Sequence, residues 1–209
     1  MAVERWDAKP LVLGLGNPGR EYEATRHNRG REVVEELARR RGLALPDAEC
    51  RTRLAIEGDV ILAIPETFMN RSGYAARCLV ERHGLEPSAM LVVYDDIALP
   101  LGALRLRPWG GPGGQRGMAS VLECLRTDGI PRLRLGIAPS AGLEPEVDRV
   151  EFVLSRFAPD EESAARNQIL RAADACELWL EAGAEAVMNR YNRPPGPVSA
   201  RDEPTTVEE

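Results

Sequence analysis

Residues 11–29 read LVLGLGNPGREYEATRHNR, and this stretch decides the fold more than any other part of the chain. Its apolar beginning, 11–15, predicts a buried strand that ends in a tight turn of glycine, asparagine and proline. A polar loop follows and carries His27, one of only two histidines in the chain. Polar side chains on loops after strands often carry function, so His27 is the first candidate for chemistry.

A glycine pattern inside the same stretch raises the question of a nucleotide cofactor. Residues 14–19 match GxGxxG, a pattern in which a helix must open at the third glycine so that its N–H groups meet a pyrophosphate. Here Pro18 lies inside the turn, and residues 20–26 show no apolar stripe at helical spacing. The first helical pattern comes later, at 33–38. The sequence therefore predicts no nucleotide cofactor, and no other cofactor is indicated.

Length and hydropathy limit the class of protein. At 209 residues the chain is long enough for one substantial core. No run approaches the ~20 apolar residues that a membrane span needs. Residues 1–7 lack the apolar segment of a signal peptide. We therefore expect a cytoplasmic protein with no membrane partner.

The cysteines are spread widely along the chain, at Cys50, Cys78, Cys124 and Cys176. No CxxC pair occurs, so the spacing indicates neither a zinc site nor a disulfide framework. We predict isolated buried thiols in a reducing cytoplasm, and no metal site.

Charge is distributed unevenly. The net charge is −6, which by itself argues against a nucleic-acid-binding protein. Between residues 103 and 134, however, the chain has six arginines and only two acidic residues, Glu123 and Asp128. The arginines are Arg105, Arg107, Arg116, Arg126, Arg132 and Arg134. A locally basic face offers contacts to phosphates even on an acidic protein. The alternative is a solvated surface of salt bridges, and charge alone does not choose between the two.

Apolar patterns along the chain alternate between strands and helices, which predicts a single-domain α/β fold with helices on both faces of a central sheet. A hairpin at 54–64 makes that sheet mixed, although mostly parallel. We assign residues 1–193 to the domain and 194–209 to a disordered acidic tail. The strands are expected at 11–15, 54–57, 60–64, 90–94, 104–107 and 133–138, and the helices at 31–40, between Gly73 and Gly84, at 118–125 and at 161–182.

Four polar side chains follow strands or tight turns: Asn17, His27, Asn70 and Asp95. Ligands of doubly wound sheets bind beyond the carboxyl ends of the strands, where these groups can converge. Histidine can take a proton from water, and a carboxylate can hold its other ring nitrogen. Asparagine supplies both a donor and an acceptor, which suits an amide or ester substrate.

Each of these side chains also has a structural interpretation. A lone histidine is more often structural than catalytic. Asp95 could cap the turn before Pro100, and Asn70 could cap the helix that follows it. The second histidine, His83, stands just before Gly84 and is typical of a helix C-terminus.

Taken together, these segments resemble the bacterial peptidyl-tRNA hydrolase family over residues 11–192. The resemblance rests on several separated motifs in the family's order: GLGNPGREYEATRHNRG (14–30), TFMNRSG (67–73), YDDIALPLG (94–102), GGPGGQRG (110–117), RLRLGIA (132–138), VLSRFAPDE (153–161) and MNRYN (188–192). It implies a single-domain, monomeric α/β hydrolase that needs no metal and no obligatory protein partner. Such an enzyme cleaves the ester between a peptide and the 3′ ribose of tRNA, and so returns free tRNA to translation.

The resemblance also implies roles for individual residues. His27 matches the general base that activates water, Asp95 its orienting carboxylate, and Asn17 the residue that favours N-blocked over free aminoacyl ends. Contacts to the peptidyl–ribose end are implied for Tyr22, Phe68 and Asn70. Contacts to tRNA phosphates are implied for Arg105, Arg107 and Arg134, which lie in the basic window described above.

The glycine loop departs from the family, whose usual pattern is GGxGGHNG. Gln115 stands in place of the histidine, and Arg116 in place of an asparagine that contacts substrate and helps to place the water. A guanidinium donates hydrogen bonds but accepts none, so Arg116 would instead grip a phosphate or stabilise an oxyanion.

This departure leaves two hypotheses. One is a working esterase with an altered loop. The other is a relative with little catalysis that binds RNA, as some plastid members of the family do in intron splicing. The persistence of His27 and Asp95 favours the esterase, because a protein that only binds RNA needs neither.

Overall fold

The structure is a computed structural model that describes residues 9–192 of the chain. In chain order its strands and helices are β1 (Leu11–Gly14), α1 (Arg29–Arg40), β2 (Asp47–Ala48), β3 (Thr52–Glu57), β4 (Val60–Pro65), α2 (Ser72–His83), β5 (Met90–Pro100), β6 (Leu104–Arg107), α3 (Arg116–Leu125), β7 (Arg132–Ala138), α4 (Arg149–Leu154) and α5 (Glu162–Tyr191). The predicted tail at 194–209 lies outside the described residues.

One seven-stranded sheet organises the chain, in the order β2-β3-β4-β1-β5-β7-β6. The four adjacent strands β4, β1, β5 and β7 run parallel, whereas the pairs at both ends of the sheet are antiparallel. This arrangement confirms the predicted α/β class with a mixed, mostly parallel sheet. It also places the carboxyl end of β1 beside the middle of β5, because Gly14 pairs with Val93.

Apolar cores lie on both faces of the sheet, as the alternation of each strand requires. Val12 of β1 packs with Val34 and Leu37 of α1 and with Trp179 of α5. Leu13, from the same strand, packs on the opposite face with residues of α2 and α3. Helices therefore cover both faces, as predicted. Within residues 9–192, no helix combines the length and apolarity needed to cross a bilayer.

Two elements extend well beyond their predicted ends. Strand β5 does not end at Tyr94 but continues through Asp95 and Asp96, because both residues pair with β7. Helix α5 extends past residue 182 to Tyr191, and only Gly183 departs from helical geometry, with φ 76° and ψ −175°. The short strand β2 and the helix α4 were not predicted, since each is too short to show a periodic pattern.

The prediction of isolated thiols is wrong for Cys50 and Cys78, which form a disulfide in the structure. A short 3₁₀ turn at 49–51 packs against α2 and brings the two Cα atoms to 5.5 Å, a distance suited to a disulfide. Spacing gave no signal, because the two residues are 28 positions apart and meet only through the fold. Cys124 and Cys176 are free thiols, as predicted, but only Cys176 is buried, whereas Cys124 is partly exposed.

Candidate active site

The candidate active site lies just beyond the carboxyl end of β1, where His27 meets Asp95 of the neighbouring strand β5. Nδ1 of His27 is 2.9 Å from Oδ1 and 2.8 Å from Oδ2 of this carboxylate. The Asp95 side chain is 2% exposed, whereas that of His27 is 12% exposed. A neutral imidazole has one N–H, and facing a carboxylate places that N–H on Nδ1. The lone pair then resides on Nε2, the nitrogen that can accept a proton.

Two neighbours of His27 hold its turn in place. The buried guanidinium of Arg26 lies 4.5 Å from the ring centre of Phe152 and 4.4 Å from that of Phe157, and it pairs with Glu161. On the other side, Asn28 accepts a hydrogen bond from the backbone N–H of Asn17 at 2.7 Å and donates one to its carbonyl at 3.0 Å. The imidazole thus projects from a segment fixed at both ends.

Close packing of α1 against the sheet completes this placement. A methyl group added to Gly30 would lie 2.0 Å from the carbonyl oxygen of Val93, and one added to Gly14 would lie 2.2 Å from the carbonyl oxygen of Gly30. Both positions therefore require glycine. The contact lets α1 begin directly over β1 and β5, whereas only a 3₁₀ turn of three residues, 20–22, follows Gly19, where a nucleotide site would need a longer helix.

Asn17 connects this segment to the turn at 68–71. Its Oδ1 accepts a hydrogen bond from the backbone N–H of Met69 at 2.8 Å. Beside Met69, Phe68 is 55% exposed and forms an edge-to-face contact with Tyr22, with ring centres 6.5 Å apart. Asn70 is also exposed. The turn therefore presents an aromatic ring and an amide next to the residues that surround His27.

The structure shows neither of the capping roles that the sequence allows for Asn70 and Asp95. The residue before α2 is Arg71, and no side chain caps that helix, so Asn70 does not. Before Pro100, where the pairing of β5 with β7 shifts register, it is Asp96 whose Oδ1 accepts from a backbone N–H, that of Ala98, at 2.8 Å. Asp95 does not cap this segment, and its carboxylate contacts His27 instead. As predicted, His83 is the last residue of α2.

Sequence reasoning missed the part that Gln115 plays in this site. Gln115 is 8% exposed and precedes α3, where its Oε1 accepts from the N–H of Met118 at 2.7 Å. Its Nε2 lies 3.2 Å from Oδ1 of Asp95 and 3.2 Å from the sulfur of Met69. The predicted Arg116 follows as the first residue of α3, and it is exposed.

A second charged group lies near the Asp95 carboxylate. Burial lowers the pKa of Arg29, while the charges of Glu32 and Asp95 oppose that change. The Arg29 side chain is held by Glu32 and by the carbonyl of Ala165. A cation from α1 therefore contributes to the field around the carboxylate without contacting it directly.

Four arginines share one face of the edge strand β6 and its neighbour β7, because Arg105 pairs in register with Arg134 and Arg107 with Arg132. We call these four residues the arginine face. Arg132 is buried and donates to the carbonyls of Gly110 and Asp128, so it supports the glycine loop.

The remaining members of the arginine face differ in their pairing. Arg134 pairs with Asp96, whereas within residues 9–192 neither Arg105 nor Arg107 forms an ion pair. A cleft of about 400 Å³ opens between this face and the glycine loop, and the exposed ring of Trp109 lies on its wall. Tyr94 also lines this cleft, and burial raises its pKa to about 12. The tyrosine is therefore a neutral hydroxyl at physiological pH.

Comparisons with known proteins agree with this geometry. A family model described as peptidyl-tRNA hydrolase matches residues 11–199. A peptidyl-tRNA hydrolase of Synechococcus sp. (strain JA-3-3Ab) is 46% identical over 191 residues, covering 88% of this chain and 83% of that protein. One of Methylacidiphilum infernorum is 41% identical over 184 residues, covering 87% and 97%.

Solved structures give the same result. The crystal structure of peptidyl-tRNA hydrolase from Acinetobacter baumannii matches with a TM-score of 0.79 at 31% identity, covering 88% of this chain and 94% of that one. Its Arg119Gln mutant matches with a TM-score of 0.78 at 30% identity, with the same coverage. The chain therefore belongs to the peptidyl-tRNA hydrolase family.

Proposed function

We propose that this chain hydrolyses the ester bond between a peptide and tRNA, with His27 as the general base. The observation that carries the proposal is the contact of His27 Nδ1 with both oxygens of Asp95, at 2.8 and 2.9 Å. The carboxylate fixes the imidazole tautomer that leaves Nε2 free, and it stabilises the imidazolium that forms when Nε2 takes a proton.

The reaction follows from this arrangement. Nε2 of His27 removes a proton from water as the water oxygen attacks the ester carbonyl. The tetrahedral intermediate collapses by expelling the 3′ oxygen of the ribose, which takes that proton back from the imidazolium. The products are a peptide with a free carboxyl group and a tRNA with a free 3′ hydroxyl.

Asn17 and the turn at 68–71 would position the peptide end of the substrate. Because Oδ1 of Asn17 already accepts from Met69, its Nδ2 is the group left to donate to a substrate carbonyl. Tyr22 and Phe68 provide an aromatic wall for the ribose or peptide, and Asn70 adds an exposed amide.

Arginine side chains would hold the tRNA. Arg105 and Arg107 lie on the arginine face without ion pairs inside residues 9–192, and Arg134 lies beside them. Guanidinium groups form bidentate contacts with phosphate oxygens, and their number sets the salt dependence of binding. Arg116 adds a further positive charge at the start of α3.

The chain would act as a monomer in the cytoplasm. Residues of a single chain build the whole candidate site, and the ribosomes that produce peptidyl-tRNA work in that compartment. No partner subunit is needed to complete the His27–Asp95 pair.

The test is release of free tRNA from N-acetyl-aminoacyl-tRNA by the purified protein. We expect a His27→Ala variant to lower kcat/KM by about 10³-fold, within the range for loss of a general base. Binding of tRNA should be unchanged, because the arginine face remains intact. If the natural chain releases no more tRNA than His27→Ala, hydrolysis is excluded and RNA binding without catalysis remains.

A further inference from the structure

We propose that Gln115 is a positioning residue for hydrolysis, which holds the Asp95 carboxylate in the orientation that His27 requires. The inference rests on the proposed function and adds a residue to it. Gln115 does not contact the reacting atoms in this proposal. It acts through Asp95, from the position just before α3.

The orientation of the Gln115 amide follows from its two neighbours. The backbone N–H of Met118 is a donor and must face the oxygen, at 2.7 Å. The Asp95 carboxylate is an acceptor and must face the NH₂ group, at 3.2 Å. A flipped amide would set donor against donor and acceptor against acceptor. The cap of α3 therefore fixes the donor that reaches Asp95.

This contact closes a ring of hydrogen bonds around the site. His27 contacts Asp95, Asp95 contacts Gln115, and Gln115 contacts the sulfur of Met69. From there, Met69 donates to Asn17, which is bonded to Asn28, the chain neighbour of His27. Gln115 is thus the link between the carboxylate and the turn that carries Phe68 and Asn70.

An uncharged donor has a specific consequence at this position. Glutamine does not titrate, so its amide donor faces Asp95 at any assay pH. It also compensates for the burial of a carboxylate that is only 2% exposed.

The first test is Gln115→Glu. The new carboxyl group can still accept from Met118, but it can donate to Asp95 only while it is protonated. Its burial beside another carboxylate favours the protonated form at low pH, and rising pH removes that proton. We expect kcat/KM to fall at least ~10-fold below the natural chain as pH rises, since a misplaced catalytic group costs up to about 100-fold. The natural chain should show no such fall.

Ala119→Glu is the matched control for charge. Ala119 is exposed on the same helix and does not face Asp95 in the ring above, so this change adds a carboxylate without altering the contact. It should weaken tRNA binding at most and keep the pH profile of the natural chain. A loss of activity with rising pH in both variants would assign the effect to repulsion of tRNA and overturn the proposal.

A second pair of variants separates positioning from folding. Gln115→Met keeps the volume but removes the side-chain hydrogen bonds to Asp95, Met118 and Met69, and we expect about 10-fold lower kcat with unchanged KM. Gln115→His restores a donor and should recover kcat. Thermal unfolding of each variant shows whether it is folded at the assay temperature. Folded Gln115→Met with the natural kcat would overturn the proposal.

An NMR measurement keeps the inference distinct from the proposed function. The chain has two histidines, so the Nδ1–H resonance of His27 can be identified by its loss in His27→Ala. We expect this resonance to broaden or shift in Gln115→Met without any substrate. An unchanged resonance refutes the positioning role even if the chain is active, whereas an inactive natural chain with a shifted resonance refutes only hydrolysis.

Discussion

The ring around His27 and the arginine face differ in how completely their polar groups are paired inside the protein. Around His27 the functional groups are mostly buried and bonded to one another, and the links pass through Asp95, Gln115 and Asn17. On the arginine face, by contrast, Arg105 and Arg107 have no ion-pair partner within residues 9–192. The first region is arranged before the substrate arrives, and the second is left for the substrate to pair.

Because of this difference, we expect the ring around His27 to respond to geometry and pH, and the arginine face to respond to salt. A preorganised hydrogen-bonded site sets kcat and responds to geometry and pH. Unpaired guanidiniums set affinity for phosphates and respond to salt, because binding releases counterions from the nucleic acid. A substitution in the ring around His27 should therefore change kcat but not the salt dependence of tRNA binding. A substitution on the arginine face should change the salt dependence but not kcat.

The largest effect is expected for Asp95→Asn. An amide donor facing Nδ1 of His27 favours the tautomer with its proton on Nε2, which cannot accept a proton from water. We expect kcat to fall by about 10³-fold, while tRNA affinity and its salt dependence stay unchanged. Single-turnover release and filter binding measure the two quantities. Weaker binding with normal turnover would contradict the division between the regions.

A smaller effect, on tRNA affinity and not on kcat, is expected for Arg107→Ala. Loss of one phosphate contact should weaken tRNA binding several-fold and reduce the slope of log K against log salt by about 1, with kcat unchanged at saturation. Arg134→Ala should change the slope less, because Asp96 already pairs with that side chain. The matched control is Arg39→Ala, on α1 across the sheet and 70% exposed. Equal slopes for Arg107→Ala and this control would place Arg107 outside the tRNA contact.

The smallest catalytic effect is expected at Arg116, which lies next to Gln115 and carries the charge typical of the other region. Arg116→Asn supplies an acceptor that could help to orient the attacking water, so kcat should rise about 3-fold. The lost charge should slightly weaken tRNA binding. Parallel measurement of kcat and Kd resolves the two changes. A fall in kcat would show that catalysis in this chain uses the guanidinium.

The sequence predicts well those features that depend on local pattern. Apolar period and turn residues account for the first strand, predicted at 11–15 and found at Leu11–Gly14, and for the hairpin of β3 and β4. They also account for the lack of an α-helix directly after Gly19. The convergence of His27 on Asp95 could also be predicted, because parallel strands align their carboxyl ends.

Contacts between side chains distant in sequence could not be predicted in this way. Arg26 reaches Glu161, which is 135 positions away, and nothing in its local sequence distinguishes it from a solvated arginine. Gln115 appeared only as a departure from the usual loop, since its contact with Asp95 depends on where α3 begins against β5. Long-range packing, and not local preference, decides these roles.

The Cys50–Cys78 bond has a consequence for anyone who handles this protein. It closes a covalent loop, with a sequence separation of 28, that contains the hairpin and the turn carrying Phe68. In the chain-entropy account, a loop of this size contributes about 3.6 kcal/mol to the free energy of unfolding. Dithiothreitol should therefore lower the melting temperature by about 7–14 °C, as would Cys78→Ser, while the turnover of folded molecules stays the same. Calorimetry and a rate assay, each run with and without dithiothreitol, would measure the melting temperature and the turnover. Preparations of the same protein made with and without a reductant would then differ in melting temperature but not in activity.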